Sequence, residues 1–210
     1  MVPLLAALNF LDPEELLAAV GTIGLFAVIF AESGLLIGFF LPGDSLLFTA
    51  GLFAAQGKLN LPLILVGCFI AAVTGDQVGY AFGNRVGPAL FRRPDSRLFK
   101  QEYVEKAQGY FDKYGSKTIV LARFVPVVRT FAPVVAGVGS MPYRTFLTFN
   151  VLGGLLWAVG VTLLGYFLGE IKVVEENLEI AILAIVGLSI VPILIELFRA
   201  RRANARAPKA

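Results

Sequence analysis

Apolar residues in this chain gather in long uncharged runs: 16–31, 33–43, 45–57, 59–75, 130–143, 145–169 and 180–195. A helix needs about 20 apolar residues to cross a bilayer, so 145–169 can span alone. The other runs are shorter and end on a single charge. That suits the halves of broken, re-entrant elements better than simple spans. The pattern predicts a first helix from Leu16 to Ala31 and an apolar stretch 32–56 interrupted at Pro42-Gly43. Asn60-Leu61-Pro62 starts a helix running to Gly83. A broken stretch follows at 121–139, then a span opened by Ser140-Met141-Pro142 and closed at Gly169, and a last helix ending near Phe198.

The stretch Leu121–Gly139 reads L-A-R-F-V-P-V-V-R-T-F-A-P-V-V-A-G-V-G. It is apolar, yet it carries Arg123 and Arg129, with Pro126 and Pro133 between and after them. Proline removes intrahelical hydrogen bonds and turns the backbone. An arginine at bilayer depth costs about 2.5–3.5 kcal/mol on the lenient insertion scale. Such a segment is expected to be a re-entrant hairpin buried in protein, its guanidinium groups aimed at a polar cavity. The stretch 32–56 has the same design: a break at Pro42-Gly43 and two charges, Glu32 and Asp44. Asp44-Ser45 can cap the half-helix after the break.

Residues 84–117 differ. Arg85, Arg92, Arg93, Arg97, Lys100, Lys106, Lys113 and Lys117 stand against four acids, and aromatic and aliphatic residues recur near helical spacing. Two readings remain open: an amphipathic helix in the membrane interface, or a cytoplasmic helix packed on the protein. The expected organisation is a leader (1–15), a membrane domain (16–170), a C-terminal transmembrane helix (171–198) and a basic cytoplasmic tail (199–210). The positive-inside rule puts 84–117, both termini and the tail in the cytoplasm. It puts the acidic loop 170–179 and the turn at Gln56–Asn60 outside.

An internal repeat agrees with that topology. Pro42 and Asp44, Ala50-Gly51, Leu61-Pro62 and Gly79-Tyr80-Ala81-Phe82-Gly83 form one series. Pro126 and Arg129, Ala136-Gly137, Met141-Pro142 and Gly165-Tyr166-Phe167-Leu168-Gly169 form the other. One unit would enter from outside and the other from inside, the inverted-repeat plan of many secondary transporters. The fold expected is therefore an all-α polytopic membrane protein. It has two re-entrant helical hairpins in inverted repeat, about four transmembrane helices and an amphipathic interfacial helix.

Composition narrows the chemistry. Of 210 residues, 57% are hydrophobic and 16% charged, which a soluble domain rarely shows. No lysine or arginine precedes Lys58, so the N-terminus lacks the basic region of a signal peptide. One cysteine, Cys68, excludes a disulfide framework. With no histidine and one cysteine, neither a transition-metal site nor any other cofactor is expected.

Glu32, Asp44, Arg123 and Arg129 are the candidate site. They could be fold-fixing salt bridges only, but buried ion pairs seldom beat apolar packing, and intramembrane ionisable groups are functional by default. Paired arginines offer planar, bidentate donors for phosphate. The carboxylates would release the arginines when protonated and compete for them when ionised, which couples protons to phosphate binding. Asp76 is either a third carboxylate of that relay or an interior hydrogen-bonding group. Pro42, Gly43, Pro126 and Pro133 mark the hairpin apices. Gly75, Gly79, Gly83 and Gly87 form a small-residue packing face. Trp157 and Tyr166 read as interface or core aromatics; Asn150, mid-span, could donate across helices or touch substrate, with packing the favoured reading.

Glu32 with F-F-L-P-G-D (39–44), G-D-x-x-G-Y-x-x-G (75–83) and R-F-V-P-V-V-R-T-F-A-P-V-V-A-G (123–137) resembles the DedA family of bacterial membrane proteins, which share the VTT or SNARE-associated domain. The similarity covers about 15–170. It implies that the family's paired acids fall on Glu32 and Asp44 and its essential arginines on Arg123 and Arg129. It further implies lipid handling, with recycling of undecaprenyl phosphate or scrambling of phospholipids, and dependence on the proton-motive force. The chain departs from the pattern at Asn84, where an arginine is expected directly after the G-Y-x-x-G run, and this leaves the role of Arg85 open.

The function expected is inward translocation of a polyprenyl-phosphate carrier lipid across the bacterial cytoplasmic membrane. Arg123 and Arg129 would hold the phosphate, and Glu32, Asp44 and Asp76 would handle protons. Expected partners are that lipid or another phospholipid, protons or sodium as coupling ion, membrane lipids and a homo-oligomer, but no nucleic acid. The alternatives are a phosphatidylethanolamine-type flippase or scramblase and a non-transporting assembly factor. A lipid phosphatase lacks a nucleophile–base pair in this sequence.

Overall fold

The computed structural model describes residues 13–35, 41–91, 111 and 115–171; their regular elements are all helices, joined by short turns, with no strand. The interfacial helix expected within 84–117 falls mostly outside them, as do the leader up to residue 12, the C-terminal span and the tail. Seven helices follow in order: α1 (Pro13–Gly34), α2 (Gly43–Ala55), α3 (Leu61–Phe91), α4 (Thr118–Ala122), α5 (Pro126–Val138), α6 (Tyr143–Gly154) and α7 (Gly160–Gly169). A single π-helical stretch, Leu155–Val159, joins α6 to α7.

Local chemistry explains the boundaries. The side chain of Asn60 accepts the Leu63 N–H at 3.0 Å and so caps α3. Val125 is extended (φ −117°, ψ 108°) because the following proline disfavours the helical region, and Pro126 then opens α5. The break in this arm therefore sits at Arg123–Val125. Pro133 does not break the chain, as the sequence suggested; α5 runs through it. Its missing N–H leaves the Arg129 carbonyl without its usual donor four residues on. Glu32 also moves relative to expectation: it lies in the last turn of α1, not in the hairpin after it. α3 continues past Gly83 to Phe91 and so absorbs Asn84 and Arg85.

Among the described residues two helices are long and apolar enough to cross a membrane, Leu61–Val86 and Tyr143–Gly169. Both expose large side chains, among them Val66, Ile70, Val78 and Phe82 on the first and Leu156, Leu164 and Phe167 on the second. Their inward faces meet Leu25 and Ile29 of α1 and Leu46, Leu47 and Ala50 of α2 in one core, with Ile64, Cys68, Ala72 and Trp157. A smaller core holds Tyr80, Ile119, Ala136 and Phe146.

The short arms pack crosswise: α2 against α7, and α5 against α3. Both crossings use the same contacts. A side chain on Gly51 would meet the Thr162 carbonyl and the Tyr166 nitrogen, and one on Gly137 would meet the Tyr80 carbonyl and the Asn84 nitrogen. Reciprocally, Gly165 lies against the Phe48 carbonyl and Gly83 against the Val134 carbonyl. Glycine at these four positions lets backbones touch. Gly165 is thus the counterpart of Gly83, one helical turn from the Gly79–Gly165 match that the two G-Y-x-x-G runs suggested.

Candidate functional site

The core contains charge where the helices converge. Arg129, on the first turns of α5, places its guanidinium between two carboxylates. Its Nη1 donates to Asp44 Oδ1 at 2.6 Å, and its Nη2 donates to Glu32 Oε1. Glu32 is fully buried against Gly43, where any side chain would collide with its carboxylate. Glycine at 43 therefore leaves the space that the Glu32 carboxylate occupies, beyond marking an apex. Asp44, expected to cap α2, directs Oδ1 instead to Arg129 and to the Trp157 indole N–H, the latter also at 2.6 Å. Its side chain is 31% exposed while those of Glu32 and Arg129 are 0% and 6%, so the cluster opens at Asp44.

Arg123 forms a second cluster. Its Nη2 donates to Asp76 Oδ2 at 2.5 Å and also to Asn150 Oδ1. Asn150 is held by its own amide, which donates to the Val73 carbonyl at 3.1 Å. Gly153 and Gly154 in α6 provide the room, since a side chain at Gly153 would meet the Arg123 stem. The structure thus brings all five ionisable residues singled out in the sequence into one region, but pairs them unevenly. Glu32 and Asp44 both serve Arg129, and Asp76 serves Arg123.

Two residues beyond the five ionisable ones belong to the site. Asn150 ligates Arg123. Trp157, 1% exposed, carries the Arg129 guanidinium carbon 4.6 Å from its ring centroid and that of Arg123 at 5.9 Å. Cation–π contact of this kind suits arginine in a desolvated place. The sequence signal that could have found them is modest: a lone amide, a Gly-Gly pair and the chain's one tryptophan in a single span.

Three carboxylates face two guanidinium groups, so the fully ionised cluster carries one net negative charge. The Nε of each arginine is buried without a hydrogen-bond partner. A buried unpaired donor costs about 1–3 kcal/mol, so each is an open valence toward an acceptor. Among the described residues no group of three metal-ligating side chains gathers. Of the apex residues, Pro42 and Gly43 stand at the start of α2 and Pro126 at the start of α5, all next to this cluster in sequence, whereas Pro133 faces Gly79 on α3.

Comparison with known proteins bears on this arrangement. The VTT domain profile matches residues 41–167. Protein DedA of Escherichia coli K12 is 49% identical over 187 residues, covering 88% of this chain and 85% of that protein. An uncharacterized membrane protein of Mycobacterium leprae is 44% identical over 208 residues, covering 99% and 93%. Inner membrane protein YqjA of Escherichia coli K12 is 36% identical over 149 residues, covering 71% and 68%. No solved structure matches significantly.

Proposed function

Because this chain belongs to the VTT-domain family of DedA-type membrane proteins, we propose that it is a lipid translocase of the bacterial inner membrane. Its cargo is a polyprenyl phosphate such as undecaprenyl phosphate, returned from the outer to the inner leaflet. The name of the YqjA relative supports the membrane. In this reading α2 and α5 are the inner arms of two re-entrant hairpins of opposite orientation, and the termini are cytoplasmic. The matched glycine crossings support the repeat, and the basic segment and tail support the orientation.

One observation carries the cargo: two arginines, buried in an apolar protein, each with an unpaired N–H. Guanidinium groups recognise phosphate through planar paired donors. The polyprenyl chain stays in lipid, so only the headgroup needs a polar route, and a small site suffices.

Protons couple to this step through charge. When the three carboxylates are ionised the cluster is net negative, and an anionic phosphate then cannot join it without a compensating positive charge. Protonation of Glu32 or Asp44 frees Arg129 donors and removes the excess. The proton leaves when the carboxylate recaptures the guanidinium, and the phosphate is expelled.

The test is reconstitution into liposomes with labelled undecaprenyl phosphate, undecaprenol and phosphatidylethanolamine. Selective movement of the phosphate is expected. Equal movement of phosphatidylethanolamine would replace this reading with that of a general phospholipid flippase or scramblase, and movement of undecaprenol would remove the role of the arginines.

A further inference from the structure

One cavity lies apart from the buried charges. It has a volume of about 360 Å³ and is lined by Gln77, Tyr80, Ala81, Asn84 and Arg85 of α3 and by Tyr143 of α6. The α3 residues are spaced three, four, seven and eight from Gln77, so one helical face builds the wall. Every polar group contributed by a side chain here can donate, and no carboxylate lines it. Among the described residues Arg85 forms no ion pair. The Gln77 amide nitrogen is buried without a partner. The Tyr80 hydroxyl is occupied, donating to the Met141 carbonyl at 2.6 Å, which fixes the ring as the cavity wall. Tyr143 is the first residue of α6, so the partial positive charge of that helix end stands at the same mouth. Val78 and Phe82, exposed on the same helix, offer an apolar flank to an alkyl chain.

We propose that this cavity is a second phosphate site, where the phosphate of an alkyl phosphate docks on Arg85, Asn84 and Gln77 before or after it visits the buried arginines. The lipid assignment rests on the translocase reading; the anion site does not. Gln77 follows Asp76, the partner of Arg123, and nine residues of helix put Arg85 about 13 Å further along α3. A headgroup would therefore step from Arg85 past Gln77 toward Arg123. This also gives Arg85 a task after the family position before it has become Asn84.

The experiment uses the full chain in liposomes with Ala81→Cys as a reporter, read by the rate of maleimide labelling; Cys68 is buried and serves as a silent background. Farnesyl phosphate should slow labelling at least fivefold, and farnesol should not. Arg85→Gln should abolish the protection, and Arg85→Lys should keep part of it. Equal protection by inorganic phosphate would keep the anion site and assign it to free phosphate. Protection by farnesol, protection that survives Arg85→Gln, or a cysteine that never reacts would overturn the proposal. Protection without lipid movement in the wild type would sink the translocase and spare the site; movement without protection would do the reverse.

Discussion

Arg129 and Trp157 share one acceptor: both donate to Asp44 Oδ1 at 2.6 Å, while the guanidinium carbon stands 4.6 Å from the indole ring centroid. Cation, ring and carboxylate form a triangle, so none can move without the others. Trp157→Phe keeps an aromatic ring and removes the N–H donor together with the five-membered ring. The loss should resemble one hydrogen bond to a charged group, about 1.5–3 kcal/mol. Flux should fall at least tenfold while the folded yield is retained. Flux at the wild-type level would mean that the indole N–H does not position Asp44.

Removing Arg129 should be worse than removing its whole cluster. Arg129→Gln leaves the fully buried Glu32 without its partner, and breaking a buried pair costs about 3–5 kcal/mol. The triple variant Glu32→Gln, Asp44→Asn, Arg129→Gln leaves no uncompensated charge and should melt nearer the wild type. Thermal unfolding in detergent reads both. Equal melting of single and triple variants would show that the charges are compensated elsewhere.

The two arginines should act as separate units in stability. A double-mutant cycle between Arg123 and Asp76 should give a coupling of about 0.5–3 kcal/mol, and the cycle between Arg129 and Asp76 a smaller one. Similar couplings in both cycles would contradict the pairing seen here.

Much of this was legible in the sequence because ionisable residues are conspicuous inside apolar runs. Glu32, Asp44, Asp76, Arg123 and Arg129 could be picked out one by one. Their pairing could not, since which acid meets which arginine depends on how helices cross. Asn150 and Trp157 carry no charge, so the lone amide, the neighbouring Gly-Gly pair and the one tryptophan mark them only weakly, and packing outweighs a polar role in the sequence alone. Pro133 misled because tertiary packing against Gly79 and Gly83 holds α5 together through a residue that would otherwise interrupt it. The one-turn slip between the glycine runs was equally hidden: both alignments preserve a glycine, and only the backbone contacts select one.

Those contacts carry a prediction of their own. Gly51→Ala and Gly137→Ala each press a methyl group into a backbone carbonyl. Backbone has less freedom to yield than side chains, so the cost should reach or exceed the usual overpacking penalty of about 1–3 kcal/mol. Both variants should show similar loss of folded protein, whereas Gly160→Ala, with open space around it, should express normally. Unequal effects of the first two would argue against equivalent crossings.

The central claim is that the guanidinium held between Glu32 and Asp44 receives the phosphate and releases it with a proton. Its most direct measurement is movement of labelled undecaprenyl phosphate in liposomes, with and without a pH gradient, by the wild type, Asp44→Asn and Arg129→Gln. The account predicts gradient-driven movement by the wild type, loss of gradient dependence in Asp44→Asn, and no movement by Arg129→Gln. Gradient-driven movement by folded Arg129→Gln would contradict it.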